Sequence, residues 1–334
     1  MTPEVSVIIP TYNRRAMVRE AVASVLAQRE ANFELIVVDD GSSDGTSEML
    51  SDINDVTVER IEHRGPAAAR NHGVELARAP LIAFLDSDDL WAPDKLHRQL
   101  AFMREHPDCA ISQTAEIWFR NGRRVNPGLR HLKRAGDIFL DSLQTCLISP
   151  SAVIMKTALF RALGGFDEDL AAAEDYDLWL RILVDQEAGL LDEALVTRRA
   201  GHADQVSSAI PALDRYRVLG LVKLLANNRL TSTRRAAVVK VLIEKCAILA
   251  KGASRRGYEA ESSLYQVIAT TASRWSIGPD ALVLEMTSTM RGILVGALRE
   301  APATMPVSQS HSRSRIRENL RVCGIAAGRS RRGL

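Results

Sequence analysis

The chain has 334 residues, 46% hydrophobic and 25% charged, a globular composition with enough apolar residues for one large domain or two ordinary ones. Its formal net charge is +2 and 5% of its residues are aromatic, which excludes a chain-wide nucleic-acid surface and argues against a stacking platform for single strands. No run approaches the roughly 20 apolar residues of a membrane span, no secretory h-region opens the chain, and the cysteines form no CxxC pair, so a cytoplasmic protein with reduced thiols is expected.

The first half alternates short apolar runs with amphipathic segments. Residues 5–9 read as a buried strand stopped by Pro10. Residues 14–28 carry Met17, Val18, Ala21, Val22, Val25 and Leu26 at helical spacing. Residues 34–38 form a second strand running into Asp39-Asp40-Gly41, with a helix expected from a cap at Ser43 or Asp44. A third strand is expected at 56–61, then a helix over 66–77 with proline in its first turn. A strand over 81–85 and a helix over 93–105 follow. Residues 110–119 and 151–155 read as further strands, 121–134 as a basic loop, and 174–185 as a helix facing inward through Leu178, Trp179, Ile182 and Leu183.

This alternation predicts an α/β fold with a Rossmann-like, mostly parallel sheet covered by helices. Ligands in such folds sit beyond the carboxyl ends of the strands. After Pro211 the periodicity becomes helical, at 219–225, 236–249, 264–272 and 281–298. The expected organisation is one domain over 1–210, a helical region over 211–300, and an Arg/Ser-rich, disordered tail over 301–334.

Asp86-Ser87-Asp88-Asp89 follows the strand over 81–85 directly. Carboxylates crowded at a strand end repel one another, and a hard divalent ion such as Mn²⁺ or Mg²⁺ compensates them. Such an ion can bridge a diphosphate and stabilise the charge that grows as a bond to it breaks. The plainer reading is cap and turn chemistry before the next helix. A second acidic turn, Asp39 to Thr46, could offer a carboxylate to a base N–H or ribose hydroxyl, although Asp, Gly and Ser are also turn formers.

Four segments occur in register: Val5-Ser6-Val7-Ile8-Ile9-Pro10-Thr11-Tyr12-Asn13-Arg14, the Val38-Asp39-Asp40-Gly41-Ser42-Ser43-Asp44-Gly45-Thr46 turn, Gly65-Pro66-Ala67-Ala68-Ala69-Arg70-Asn71-His72-Gly73, and Asp86-Ser87-Asp88-Asp89. With Gly164-Gly165-Phe166-Asp167-Glu168 and Glu174-Asp175-Tyr176-Asp177-Leu178-Trp179, they resemble family 2 glycosyltransferases over roughly residues 3–210. The resemblance implies a GT-A fold and inverting transfer from a nucleoside-diphosphate sugar, UDP-sugar favoured, to a hydroxyl of a saccharide or lipid-linked acceptor. Cell-surface polysaccharide or glycolipid synthesis is the implied setting.

Carried onto this chain, the resemblance has Pro10, Thr11 and Tyr12 lining the base pocket, with Asp40 against the base and Asp86 on the ribose side. Arg14, Ser87 and Arg70 complete the nucleotide-sugar set; independently, a cation at Arg70 suits a diphosphate. Asp88 would hold the metal, and Asp89 reads as a helix-start residue. Asp175 matches the catalytic base, with Glu174 and Asp177 near enough to alter its pKa. As helix N-terminal acids, all three would equally complement the macrodipole. His202 is a further candidate for the metal or diphosphate, and Arg198 and Arg199 could add diphosphate contacts.

The loop after the first strand lacks the Gly-rich, Arg/Lys-bearing pattern of a nucleotidyltransferase and the GxGxxG of a dinucleotide-dependent oxidoreductase. A non-catalytic glycan-binding or scaffold protein on the same fold is the remaining alternative. The acceptor side falls in loops without a motif, at 121–134 and around Ser149-Pro150-Ser151. No nucleic acid partner is expected. The basic tail could touch anionic lipid, giving peripheral contact at the inner face of the plasma membrane.

Overall fold

Strand β1 (Val5–Thr11) is buried along its whole length between β2 (Phe33–Asp39) and β4 (Leu81–Phe84), parallel to both. A strand covered on both faces needs a largely apolar run, which Val5, Val7, Ile8 and Ile9 supply, while the buried Ser6 hydroxyl donates to Glu34 Oε1 at 2.5 Å. β3 (Thr57–Arg60) extends the parallel set beside β2. The structure is a computed structural model and describes residues 2–201, 212–273, 275, 289, 292, 294 and 295. The chain divides into two compact units, Met1–Ala209 and Ile210–Leu334.

In the first unit, α1 (Arg15–Leu26), α2 (Thr46–Ser51) and α3 (Pro66–Leu76) alternate with these strands. α2 starts beyond Asp44, whose Oδ1 accepts the Thr46 N–H at 3.1 Å, so the expected acid acts as a turn acceptor while Gly45 occupies the cap position. α3 lies close against β1 through Gly73. A Cβ at Gly73 would sit 2.5 Å from Ile8 Cγ2. Gly73→Ala is therefore expected to cost about 1–3 kcal/mol through overpacking, read as a lower urea midpoint with an unchanged slope. A wild-type midpoint would show that the two elements separate freely.

The full sheet has nine strands in the order β3-β2-β1-β4-β8-β6-β9-β5, with β7 added beside β6. The parallel arrangement expected from the alternation runs from β3 to β4. Beyond it, β8 (Val153–Lys156) is antiparallel to both β4 and β6 (Ile111–Arg120), β9 (Ala188–Ala200) is parallel to β6, and β5 (Leu90–Trp91) is antiparallel to β9. The link from β4 to β5 is too short for a parallel crossover, which takes a dozen or more residues. It instead carries the chain to the far edge of the sheet and leaves the acidic segment between two strand ends. α4 (Lys95–Glu105) begins only after β5, so Asp89 is not a helix-start residue.

The expected basic loop over 121–134 is instead partly ordered structure. β6 turns into β7 (Arg123–Val125) through Asn121 (φ 50°) and Gly122 (φ 72°), the pair of positive φ angles that a two-residue hairpin demands. A single 3-10 turn, Leu129–His131, follows. Three short or medium helices, α5 (Phe139–Ser142), α6 (Thr157–Ala162) and α7 (Glu174–Leu183), and a second 3-10 turn, Pro150–Ala152, complete the described unit. α7 buries Tyr176 and Leu180 as well as the expected Leu178, Trp179, Ile182 and Leu183.

The described part of the second unit consists chiefly of α8 (Asp214–Leu225), α9 (Ser232–Arg255) and α10 (Glu259–Ala272). Thr231 caps α9 by accepting the Arg234 N–H at 3.3 Å. Buried Arg235 donates to the carbonyls of Leu225 (2.7 Å) and Asn227 (2.9 Å), satisfying acceptors at the end of α8. Among the described residues, no helix is long and apolar enough to cross a membrane. His202 and the Arg/Ser-rich tail lie outside the described residues, as does most of the helix expected over 281–298.

Candidate active site

The loops after β1 and β2 are laced together at the carboxyl end of the parallel strands. The Asn13 N–H donates to Ser42 Oγ, and Asn13 Oδ1 accepts the Ser43 N–H, both at 2.8 Å. Asp39 is fully buried and holds this turn by accepting from the Ser42 N–H (2.9 Å) and the Ser47 hydroxyl. Asp40 reaches the other way. Its carboxylate accepts the N–H groups of Arg64 and Gly65, each at 2.8 Å, and pairs with His63 Nδ1 at 2.8 Å. The His63 ring stacks on Tyr12, centroids 3.9 Å apart, and makes a flat partly exposed surface above Asp40. Pro10 and Thr11 form the buried floor of this corner, and Thr11 Oγ1 has no hydrogen-bond partner.

Asp86, Asp88 and Asp89 each present an oxygen within 4.8 Å of the others. Ser151 fixes this acidic segment. Its Oγ accepts the Asp86 N–H at 3.1 Å and donates to Asp89 Oδ2 at 2.6 Å, while its carbonyl accepts from Trp91 Nε1 at 2.8 Å. The other Asp89 oxygen accepts the Arg199 N–H at 2.9 Å. Burial, then the neighbouring Asp88, push the Asp89 carboxyl well above the usual carboxylate range, against the pull of Arg198. Asp88 faces Arg14 Nη1 at 3.2 Å, and the same nitrogen lies 3.4 Å from Ser87 Oγ. An all-oxygen set of three carboxylates fits Mg²⁺ or Mn²⁺, and the partly exposed Asp86 and Asp88 are its accessible members.

Arg70 is the link between this cluster and α7. It is buried, with Nη2 at 2.7 Å from Asp86 Oδ1 and Nη1 at 2.7 Å from Glu174 Oε1. Desolvation disfavours its charge, but the two carboxylates outweigh that and hold the guanidinium protonated. Burial raises the Glu174 pKa, Arg70 opposes the rise, and Asp175 adds to it. Of the three acids in the first turn of α7, Glu174 is taken by Arg70, and Asp177 by Arg181 at 2.9 Å. Asp175 is the one left half-exposed. Its Oδ1 accepts the Tyr176 N–H at 2.7 Å, and the Cys146 thiol donates to Oδ2 at 3.5 Å.

A second buried charge cluster borders Asp175. Glu116, placed just after a bulge between β6 and β9, accepts from Trp118 Nε1 (2.9 Å) and the Ser149 hydroxyl and pairs with Lys133 Nζ at 3.2 Å. Burial would raise the Glu116 pKa, but Lys133 and Arg198 together hold it below the usual range. Arg198 lies over the Trp118 ring at 4.9 Å. Against its desolvation, Glu116, Asp89, Asp86 and Asp175 all favour its charge. It is the cation that senses both the acidic cluster and Asp175.

Asp40, Tyr12, Arg14, Ser87 and the acidic cluster thus lie in the loops beyond β1, β2 and β4, and Arg70 ties Asp86 to the turn of α7 that carries Asp175. Arg70 is engaged by carboxylates rather than facing open space. From the sequence, Ser151 and Lys133 fall only within acceptor-side loops and have no individual role, Glu116 is not marked at all, and Arg198 has only a diphosphate contact. Each acts through a partner far along the chain, so no local pattern marks it.

The sequence model described as Glycosyl transferase family 2 matches residues 6–164. A glycosyltransferase of Rickettsia felis is 38% identical over 58% of this chain, but the aligned stretch spans only 32% of that protein's length. One of Rickettsia typhi is 31% identical over 69% of this chain and 74% of its own. UDP-Glc:alpha-D-GlcNAc-diphosphoundecaprenol beta-1,3-glucosyltransferase WfgD of Escherichia coli is 32% identical over 56% of this chain and 73% of its own. Among solved structures, S. aureus TarS 1–349 in complex with UDP superposes with a TM-score of 0.64 at 21% identity, covering 89% of both chains. The mannosyltransferase PcManGT of Pyrobaculum calidifontis, in complex with GDP-Man and Mn²⁺, gives 0.54 at 19% identity over 90% of this chain and 87% of its own. The GT-A expectation for the fold therefore holds, and the chain belongs to glycosyl transferase family 2.

Proposed function

We propose that this enzyme performs an inverting transfer from a UDP-sugar to a hydroxyl of a saccharide or lipid-linked acceptor, in cell-surface polysaccharide or glycolipid synthesis at the cytoplasmic face of the membrane. The observation that carries the reading is the link, through Arg70, between an acidic cluster and the helix turn that carries Asp175, the one acid in the first turn of α7 with no arginine ion pair. UDP is favoured because WfgD is named for a UDP-Glc donor and TarS is solved with UDP and UDP-GlcNAc. The lipid-linked acceptor has its support in the diphosphoundecaprenol of the WfgD name.

The uracil would lie on the Tyr12–His63 surface with Asp40 below it, between Pro10 and Thr11. Asp86 would face the ribose. Asp88, with Asp86 and Asp89 beside it, would hold Mn²⁺ or Mg²⁺, an assignment supported by the Mn²⁺ in the PcManGT complex and by the oxygen-only donor set. Such an ion, when bound, supplies positive charge to the diphosphate. Arg14 and Arg198 add fixed positive charge on the same side, worth most where water is excluded. Asp175 takes the proton of the attacking hydroxyl as the acceptor oxygen bonds to the anomeric carbon and the nucleotide leaves from the opposite face. His202 stays a candidate for the metal or diphosphate.

Titration calorimetry tests the donor side. UDP with Mn²⁺ is expected to bind the wild type, and either EDTA or Asp88→Ala to weaken binding about tenfold or more. Affinity indifferent to both would remove the metal from the reading. A protein that binds no UDP-, GDP- or dTDP-sugar with Mn²⁺ present would remove the donor class.

A further inference from the structure

The β6–β7 hairpin and the segment after it, on the side where the acceptor is expected, carry a surface outside the residues assigned to donor, metal and base. Residues 120–134 contain six Lys or Arg and no Asp or Glu. Two of the six are spent internally: Lys133 turns inward onto Glu116, and Arg134 pairs with Asp141 of α5 at 2.7 Å. Arg120, Arg123, Arg124 and Arg130 are exposed, and among the described residues no carboxylate pairs with any of them. Arg120 and Arg123 are register partners across the hairpin. Like charges directly opposite on a ladder weaken it, so the arrangement gains from an anion supplied from outside.

The same segment concentrates exposed apolar side chains. Of the eight large hydrophobic residues exposed in the described chain, Leu129 (82%), Leu132 (48%) and Leu140 (50%) fall within residues 129–140. The segment is held in place around them. His131 packs near Trp118 at 5.4 Å, Gln113 Nε2 donates to the Arg134 carbonyl at 3.1 Å, and Lys133 Nζ donates to the Leu147 carbonyl at 3.0 Å. Arginines beside outward leucines on an anchored loop match a surface that offers phosphate and hydrocarbon together.

We propose that residues 120–140 dock on a bilayer bearing anionic phospholipid headgroups, with Arg123, Arg124 and Arg130 at the phosphates and Leu129, Leu132 and Leu140 entering the interface. A soluble polyanion would satisfy the arginines but not the leucines, which stay in water in any complex with it. The inference rests on the reading that the enzyme works at a membrane, but not on its donor, metal or base. Through Lys133 and Glu116 the docked segment adjoins the wall of the site that carries Asp175, where a lipid-borne acceptor would arrive.

Vesicle co-sedimentation of the full chain, without sugar donor, tests it. Wild type is expected to bind phosphatidylcholine vesicles containing phosphatidylglycerol and to ignore phosphatidylcholine alone. Replacing a basic residue is expected to lower the partition coefficient about fivefold, and Arg123→Gln/Arg124→Gln/Arg130→Gln about a hundredfold. Leu129→Ser/Leu132→Ser should lower it severalfold in high salt as well, where the arginine contribution is screened. Thermal midpoints unchanged from wild type establish that both variants are folded. A triple variant that binds like wild type would place the contact elsewhere in the chain and overturn the proposal. So would a leucine variant with full binding, which indicates a polyanion site, or a wild type that ignores the anionic vesicles. Donor binding measured in parallel keeps a failure here apart from a failure of the transfer reading.

Discussion

Asp175→Asn is expected to lower kcat about 10²- to 10⁴-fold while leaving the dissociation constant of the UDP-sugar within about twofold of wild type. The amide keeps the size of the carboxylate and the oxygen that accepts the Tyr176 N–H, so the start of α7 is preserved. What it loses is the capacity to take a proton. Neither neighbour can substitute: Glu174 is buried against Arg70, and Asp177 is held by Arg181. A merely structural role would appear instead as a lower thermal midpoint, and loss of the macrodipole interaction alone accounts for about 0.3–1 kcal/mol of that. Steady-state turnover together with donor calorimetry decides between them. A variant keeping more than about a tenth of wild-type turnover would move the base elsewhere.

How much of this was legible in the sequence follows the range of the interactions. β1, β2 and β4 announce themselves because a strand buried on both faces must be mostly apolar, and α1 and α7 because one face must be. β5 is two residues long and has no period to read. β9 alternates poorly because much of it is half-exposed, and the Asn121-Gly122 hairpin lies among arginines rather than alternating apolar residues. The antiparallel half of the sheet rests on pairings between distant segments, which local pattern does not encode.

The site divides in the same way. Asp40, Asp86, Asp88 and Asp175 are conspicuous because each stands in a recognisable local segment, and a parallel sheet delivers the first three to the same end. Their electrostatic frame is not conspicuous. Arg70 meets Glu174 across 104 residues of chain, and Arg199 meets Asp89 across 110. Glu116, Lys133 and Ser149 come together from three different segments. Asp89, which looked like the start of a helix, is instead the buried anchor of the acidic turn.

Arg70 makes that frame measurable. Arg70→Met fills similar apolar volume but leaves Glu174 buried without its cation, and breaking a buried ion pair from one side costs about 3–5 kcal/mol. The loss is expected as a lower urea midpoint, with lower kcat because α7 presents Asp175. The pH dependence has a definite sign. Burial already places Glu174 above its unfolded pKa, and removing Arg70 takes away the main opposing influence, so the folded pKa rises further. An acid raised in the folded state binds more protons folded than unfolded, so its contribution to stability is fullest below the unfolded pKa and is lost as pH rises through the folded pKa. The Arg70→Met deficit should therefore be larger at about pH 8 than at about pH 5, where Glu174 can take a proton. Arg70→Met/Glu174→Gln should recover part of the loss at the higher pH and flatten the dependence. Arg70→Lys should fall between, since one ammonium cannot reproduce a fork that reaches Asp86 and Glu174 through two different nitrogens. Equal deficits at both pH values, or a double variant no better than the single one, would show that Arg70 supports the site through packing against Phe166 rather than through charge.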